Sequence, residues 1–114
     1  MHEFSLVSGL LDLVNTYEKL HRFERINVLK LSFGRLSCID PGALRFVFEV
    51  QSKGTKAEGA TLDFNILPIV IHCLACNRET PIEQYPSSCP QCLGEKVTLK
   101  SGTEPLQLRE MDVD

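Results

Sequence analysis

The chain of 114 residues predicts an α/β fold, a two-layer domain of two helices and a three-stranded sheet, with a small zinc-ribbon-like domain inserted into it. Three observations predict this. Two stretches carry apolar residues at helical spacing, and three carry them in alternation. Late in the chain, four cysteines stand as two C-x2-C pairs separated by 12 residues.

The first helix is read over residues 4–20. Phe4, Leu6, Val7, Leu10, Leu11, Val14 and Tyr17 repeat at i, i+3, i+4 and i+7, and Leu13 and Leu20 widen the stripe. Ile26 to Phe33 is rich in β-branched and large apolar residues, with Leu29, Leu31 and Phe33 alternating, and Gly34 closes this strand. Asp40-Pro41 reads as an N-cap followed by a proline at the first helical position. The spacing of Leu44, Val47, Phe48 and Gln51 then gives a second helix across 41–51, and Gln51 to Thr55 is a loop. Ala60, Leu62, Phe64 and Ile66 alternate as a second strand that Pro68 ends. Leu106, Leu108 and Glu110, followed by Met111 and Val113, make the third. The stretch bracketed by Pro68 and Pro105 has its own composition. The domain reading is therefore residues 1–68 completed by 105–114, with 69–104 inserted.

Composition narrows the function classes. An apolar fraction of 43% with 24% charged residues suits one ordinary domain carrying a small insertion. No apolar run is long enough to cross a bilayer, and no basic-then-apolar leader is present, so the expected setting is cytoplasmic, with no membrane partner. Thiols stay reduced there, and five cysteines in a short chain then point to metal rather than disulfides. The net charge of -3, without a block of Lys and Arg, argues against a protein that neutralises phosphates.

Cys73, Cys76, Cys89 and Cys92 are the expected ligands of one Zn(II) ion. Each pair lets a tight turn aim two sulfurs at one point, and two such turns supply the tetrahedron of soft donors that zinc takes. Gly94 stands where the backbone curls under the metal. The linking segment, with Pro81, Pro86, Ser87 and Ser88, holds too few large apolar residues to fold alone. Structural zinc contributes roughly 10–16 kcal/mol in small domains. Four sulfurs leave no open coordination position, so this zinc is structural and not catalytic. A redox C-x-x-C motif normally comes singly, at the start of a helix.

The amino terminus holds a second donor set. A bulky His2 hinders removal of the initiator methionine, which leaves the Met1 amine, the amides of His2 and Glu3, an imidazole and a carboxylate close together. Nitrogen donors that become coplanar suit Ni(II) or Cu(II), and binding through displaced amide protons strengthens as pH rises.

Several motifs then combine. These are Met1-His2-Glu3-Phe4-Ser5-Leu6, Gly34-x2-Ser37 before Asp40-Pro41, Phe46-Val47-Phe48-Glu49 with Gly54-Thr55, and Glu58-Gly59-Ala60. The four-cysteine array and the terminal Leu108-Arg109-Glu110-Met111-Asp112-Val113 complete the set. Over its whole length the chain resembles the HypA/HybF family, the nickel metallochaperones of hydrogenase maturation. The resemblance implies a transient Ni(II) site at the amino terminus, with His2 indispensable and Glu3 contributing, and a structural zinc domain inserted into the nickel-binding domain. It implies delivery of Ni(II) to the active site of the nickel–iron hydrogenase large subunit, with a HypB-type GTPase as partner. Some members also serve urease maturation proteins. Asp40 lies where some members carry an acid near nickel, although it reads more simply as a helix cap. His72 is the one histidine near the cysteines and reads as a flanking surface residue, while His21 is given no metal role. Cys38, the odd cysteine, is expected to be a small core residue.

Two other classes are weighed against this. A zinc ribbon that binds nucleic acid needs basic and aromatic residues, but between Cys73 and Cys92 stand one Arg, one Tyr and two Glu. An enzyme needs a catalytic triad, a phosphate loop or an open zinc site, and none is evident in the sequence.

Overall fold

In a computed structural model that describes residues 2–83 and 88–114, the first apolar stripe becomes helix α1 (His2–His21). Met1, the His2 side chain, Pro86 and Ser87 lie outside the described residues. The buried face of α1 is narrower than the stripe predicts. Val7, Leu10 and Val14 are buried, whereas Phe4, Leu13 and Leu20 are exposed at 54%, 40% and 70%. A helix packed on one side covers only about a third of its circumference, and these three fall outside that arc. The helix stops where Arg22 turns left-handed, with φ 51° and its amide donating to Glu18 O at 2.7 Å.

The chain then forms β1 (Ile26–Gly34), a short 3-10 turn (Arg35–Ser37), α2 (Pro41–Gln51) and β2 (Thr61–Leu67). After these come β3 (Ile69–Cys73), β4 (Glu79–Ile82), β5 (Val97–Ser101) and β6 (Gln107–Val113). Among the described residues there are two three-stranded sheets, in the orders β2-β1-β6 and β4-β3-β5. The first is the sheet expected from the sequence, its third strand β6 lying antiparallel to β1. The second sheet is additional.

The chain divides into two units. The first comprises Met1–Ser32, Ile39–Asn65 and Leu106–Asp114; the second comprises Phe33–Cys38 and Ile66–Pro105. The core of the first unit joins Val7, Leu10 and Val14 of α1 to Leu44 and Phe48 of α2 and to Ile26, Leu29, Leu31 and Leu62 of the sheet. Burying one such side chain stabilises by about 1.5–3 kcal/mol. Asp40 caps α2, its Oδ1 accepting from the amides of Gly42 at 3.0 Å and Ala43 at 3.4 Å. At the other end of α2, the Gln51 side chain holds the start of α1. Its Nε2 donates to Phe4 O at 3.3 Å, and its Oε1 accepts from Ser8 Oγ at 3.1 Å.

In the second unit the segment from Phe33 runs against residues 102–104. Gly34 N donates to Glu104 O at 2.9 Å and Leu36 N to Gly102 O at 2.7 Å. Cys38, expected in a core, is instead exposed. It occupies the left-handed region with φ 63° at the end of the 3-10 turn, where its thiol donates to Leu36 O at 3.6 Å.

A Cβ at Gly34 would stand 2.2 Å from Gly102 O, an overlap with backbone that cannot rotate away. Gly34→Ala is therefore expected to cost about 2–3 kcal/mol in a denaturant titration. In contrast, Gly9→Ala, on an open face of α1 with nothing within 4 Å of the new Cβ, should gain about 1 kcal/mol.

Candidate metal centre

The four cysteines of the second unit converge. Their sulfurs all lie within 4.8 Å of one another, and among the described residues they form the one group of three or more potential metal ligands. Cys73 ends β3, and the chain turns at once, so that Asn77 N donates to Cys73 O at 2.8 Å. The second turn repeats this pattern, with Leu93 N donating to Cys89 O at 2.8 Å. In each turn the residue after the second cysteine is left-handed, Asn77 with φ 58° and Leu93 with φ 65°. Asparagine tolerates that region, but leucine does not, and Leu93 remains 76% exposed. Backbone amides also face the sulfurs, Gln91 N toward Cys89 Sγ at 3.3 Å and Gly94 N toward Cys92 Sγ at 3.4 Å. These amides favour the anionic form of the sulfurs that a metal binds.

The donor set fits zinc. A tetrahedron with Zn–S bonds of about 2.3 Å has S–S edges of about 3.8 Å. The distances from Cys73 Sγ to Cys92 Sγ and from Cys76 Sγ to Cys89 Sγ are 3.6 and 3.9 Å. Cys73 and Cys89 are buried, Cys76 is half-buried and Cys92 is exposed. Gly94 packs beneath the cluster, where a Cβ would lie 3.3 Å from Cys92 Sγ and 3.2 Å from Ala75 Cβ. Two thiols are tuned in opposite directions. The backbone amide of Cys76, hydrogen-bonded to Cys73, draws the Cys73 thiol down to about 7, whereas burial pushes Cys76 up to about 11.

The other candidates are not members of the four-cysteine group. His72 precedes Cys73 on β3 and is half-buried, its side chain on the opposite strand face to Cys73 and its carbonyl accepting from Thr98 Oγ1 at 3.3 Å. Glu3 sits in the first turn of α1 and is half-buried. His21 ends α1, stacked on Tyr17 with ring centroids 6.3 Å apart. The sequence reading missed the backbone pattern of the two turns. Its one visible trace is Gly94, two residues after Cys92.

A family model described as hydrogenase/urease nickel incorporation, metallochaperone, matches residues 1–113. A relative named hydrogenase maturation factor HypA, from Syntrophus aciditrophicus, is 53% identical over 114 residues, covering 100% of both chains. Another of the same name, from Azotobacter chroococcum, is 36% identical, also over 100% of each chain. The solution structure of the Ni metallochaperone HypA from Helicobacter pylori covers 97% of this chain and 96% of its own, at 21% identity and a TM-score of 0.63. A second solution structure, titled HypA protein, covers 99% of this chain and 96% of its own, at 23% identity and a TM-score of 0.71. At these identities the two structures establish the shared fold. No helix among the described residues is long and apolar enough to cross a membrane.

Two expectations follow from the geometry. Leu93→Asn, which relieves a left-handed leucine, should strengthen zinc binding by about 1 kcal/mol, and Gly94→Ala should weaken it by a similar amount. Competition with a chromophoric chelator reads both. Zinc must also displace a proton from each thiol that is not already ionised. Affinity should therefore rise with pH from below the Cys73 value of about 7 toward the Cys76 value of about 11, and fall on acidification. Isothermal titration in buffers of different ionisation enthalpy counts the protons released.

Proposed function

The chain belongs to the HypA family of hydrogenase and urease nickel-incorporation metallochaperones, and we propose that it binds Ni(II) at its amino terminus and hands it on during hydrogenase maturation. As a maturation factor it is not an enzyme. In this reading residues 1–68, completed by 105–114, form the nickel-binding domain and 69–104 the inserted zinc domain. Zn(II) on Cys73, Cys76, Cys89 and Cys92 ties the two turns of that domain together. The partners are a HypB-type GTPase, the nickel–iron hydrogenase large subunit and, where urease is served, its maturation proteins, all in the cytoplasm.

The observation that carries the nickel reading is the start of α1 at His2, with Glu3 in its first turn. The first four amides of a helix have no acceptor within the helix. The amides of His2 and Glu3 can therefore lose their protons to a metal without breaking any hydrogen bond of α1. With the His2 imidazole, the Glu3 carboxylate and the Met1 amine they form a nitrogen-rich set suited to Ni(II). The helix dipole works against the cation here, by about 0.3–1 kcal/mol. That opposition suits a cargo site. Anionic donors are needed to hold the metal, and donors gathered at the start of one helix can be replaced by a partner one at a time. Asp40 enters this proposal only as the cap of α2, since its Oδ1 already accepts two amides.

His2→Ala should lower nickel affinity by more than about tenfold while one zinc per chain and the thermal unfolding midpoint are retained. Equal nickel affinity in that variant overturns the site. Residues added before Met1 should weaken nickel binding to a similar degree, and unchanged binding would remove the Met1 amine from the ligand set.

A further inference from the structure

We infer that the four-cysteine cluster is also a redox-labile clamp, in which a two-electron oxidant joins Cys92 to Cys73 across the two turns and expels the metal. The inference rests on the zinc reading above and goes beyond it. The two turns present their sulfurs unequally. Cys92 is exposed, while Cys73, its contact at 3.6 Å, is buried directly behind it. The second contact, Cys76 to Cys89 at 3.9 Å, crosses between the turns in the same way. The attacking and resolving positions are thus already assigned by exposure and distance.

With hydrogen peroxide as the oxidant, the steps balance. The Cys92 thiolate attacks one peroxide oxygen, the O–O bond breaks, hydroxide leaves, and Cys92 becomes a sulfenic acid. The Cys73 thiolate then attacks the Cys92 sulfur. The S–O bond breaks, a second hydroxide leaves, and two thiolates have given two electrons to one peroxide. Sulfur–sulfur separation must close from 3.6 Å to about 2.05 Å. Zinc then keeps two of its four ligands, too few for a structural site. A second peroxide can join Cys76 to Cys89. A bond from Cys73, at the end of β3, to Cys92 connects the same two turns that the metal connected. Metal release is therefore separable from unfolding, and reduction should restore the site.

The test uses the full-length, zinc-loaded Cys38→Ser protein, which removes the exposed fifth thiol. Hydrogen peroxide is added in steps, zinc release is followed with a chromophoric chelator, and disulfides are mapped by mass spectrometry of unreduced digests. Zinc is quantified before oxidant is added. Its absence at that stage would defeat the zinc reading and this inference with it. The expected result is about one zinc released per chain in step with the first two thiols lost, a Cys73–Cys92 link, retained far-ultraviolet circular dichroism, and zinc rebinding after reduction. Zinc retained while thiols are consumed overturns the inference and leaves the zinc site standing. So does a map in which Cys73 pairs with Cys76 and Cys89 with Cys92.

Discussion

Four thiol sulfurs drawn within 4.8 Å of one another place a demand on every residue around them, because bare thiolates at that range repel and bare thiols gain little from contact. A bound dication reverses this balance. The rest of the second unit is arranged around that requirement. β3 delivers Cys73 at its last residue, two turns repeat one backbone conformation, and Leu93 accepts a left-handed geometry that leucine avoids. Such strain persists only where the surroundings over-determine the conformation. A metal bound by four sulfurs is a sufficient cause.

The first unit is held by different means. Its helices and sheet bury a continuous apolar core, and no metal is needed to explain its stability. Gln51 and Asp40 show how polar groups serve that core: one fixes the start of α1, and the other satisfies the start of α2. Conformational entropy explains the difference between the units. A short segment interrupted by prolines cannot offset the cost of ordering with apolar burial alone, whereas α1, α2 and the sheet together can.

Much of this was legible in the sequence because periodicity is a direct image of burial. Val7, Leu10 and Val14 announce α1, Asp40-Pro41 marks the start of α2 to the residue, and the alternation of Leu29, Leu31 and Phe33 marks β1. The cysteine spacing alone predicted convergence. The second sheet was harder to see, for specific reasons. β3 is a β-branched run, Ile69-Val70-Ile71, but it follows Pro68 directly and leads into a cysteine turn, so it reads as part of the metal segment. β4 contains Pro81, which normally argues against a strand and is tolerated because β4 lies at the edge of its sheet. Cys38 was misplaced because the average burial of cysteine says nothing about a left-handed turn at the surface.

The proposed function asks two metals to meet opposite requirements. A zinc ion on four soft sulfur donors would stay; a nickel ion on nitrogen and oxygen donors at the start of α1 would leave. X-ray absorption at both metal edges of a single full-length sample tests this division most directly. The account predicts four sulfur neighbours at about 2.3 Å around zinc, and only nitrogen and oxygen neighbours, including imidazole, around nickel. Sulfur in the nickel shell would contradict it.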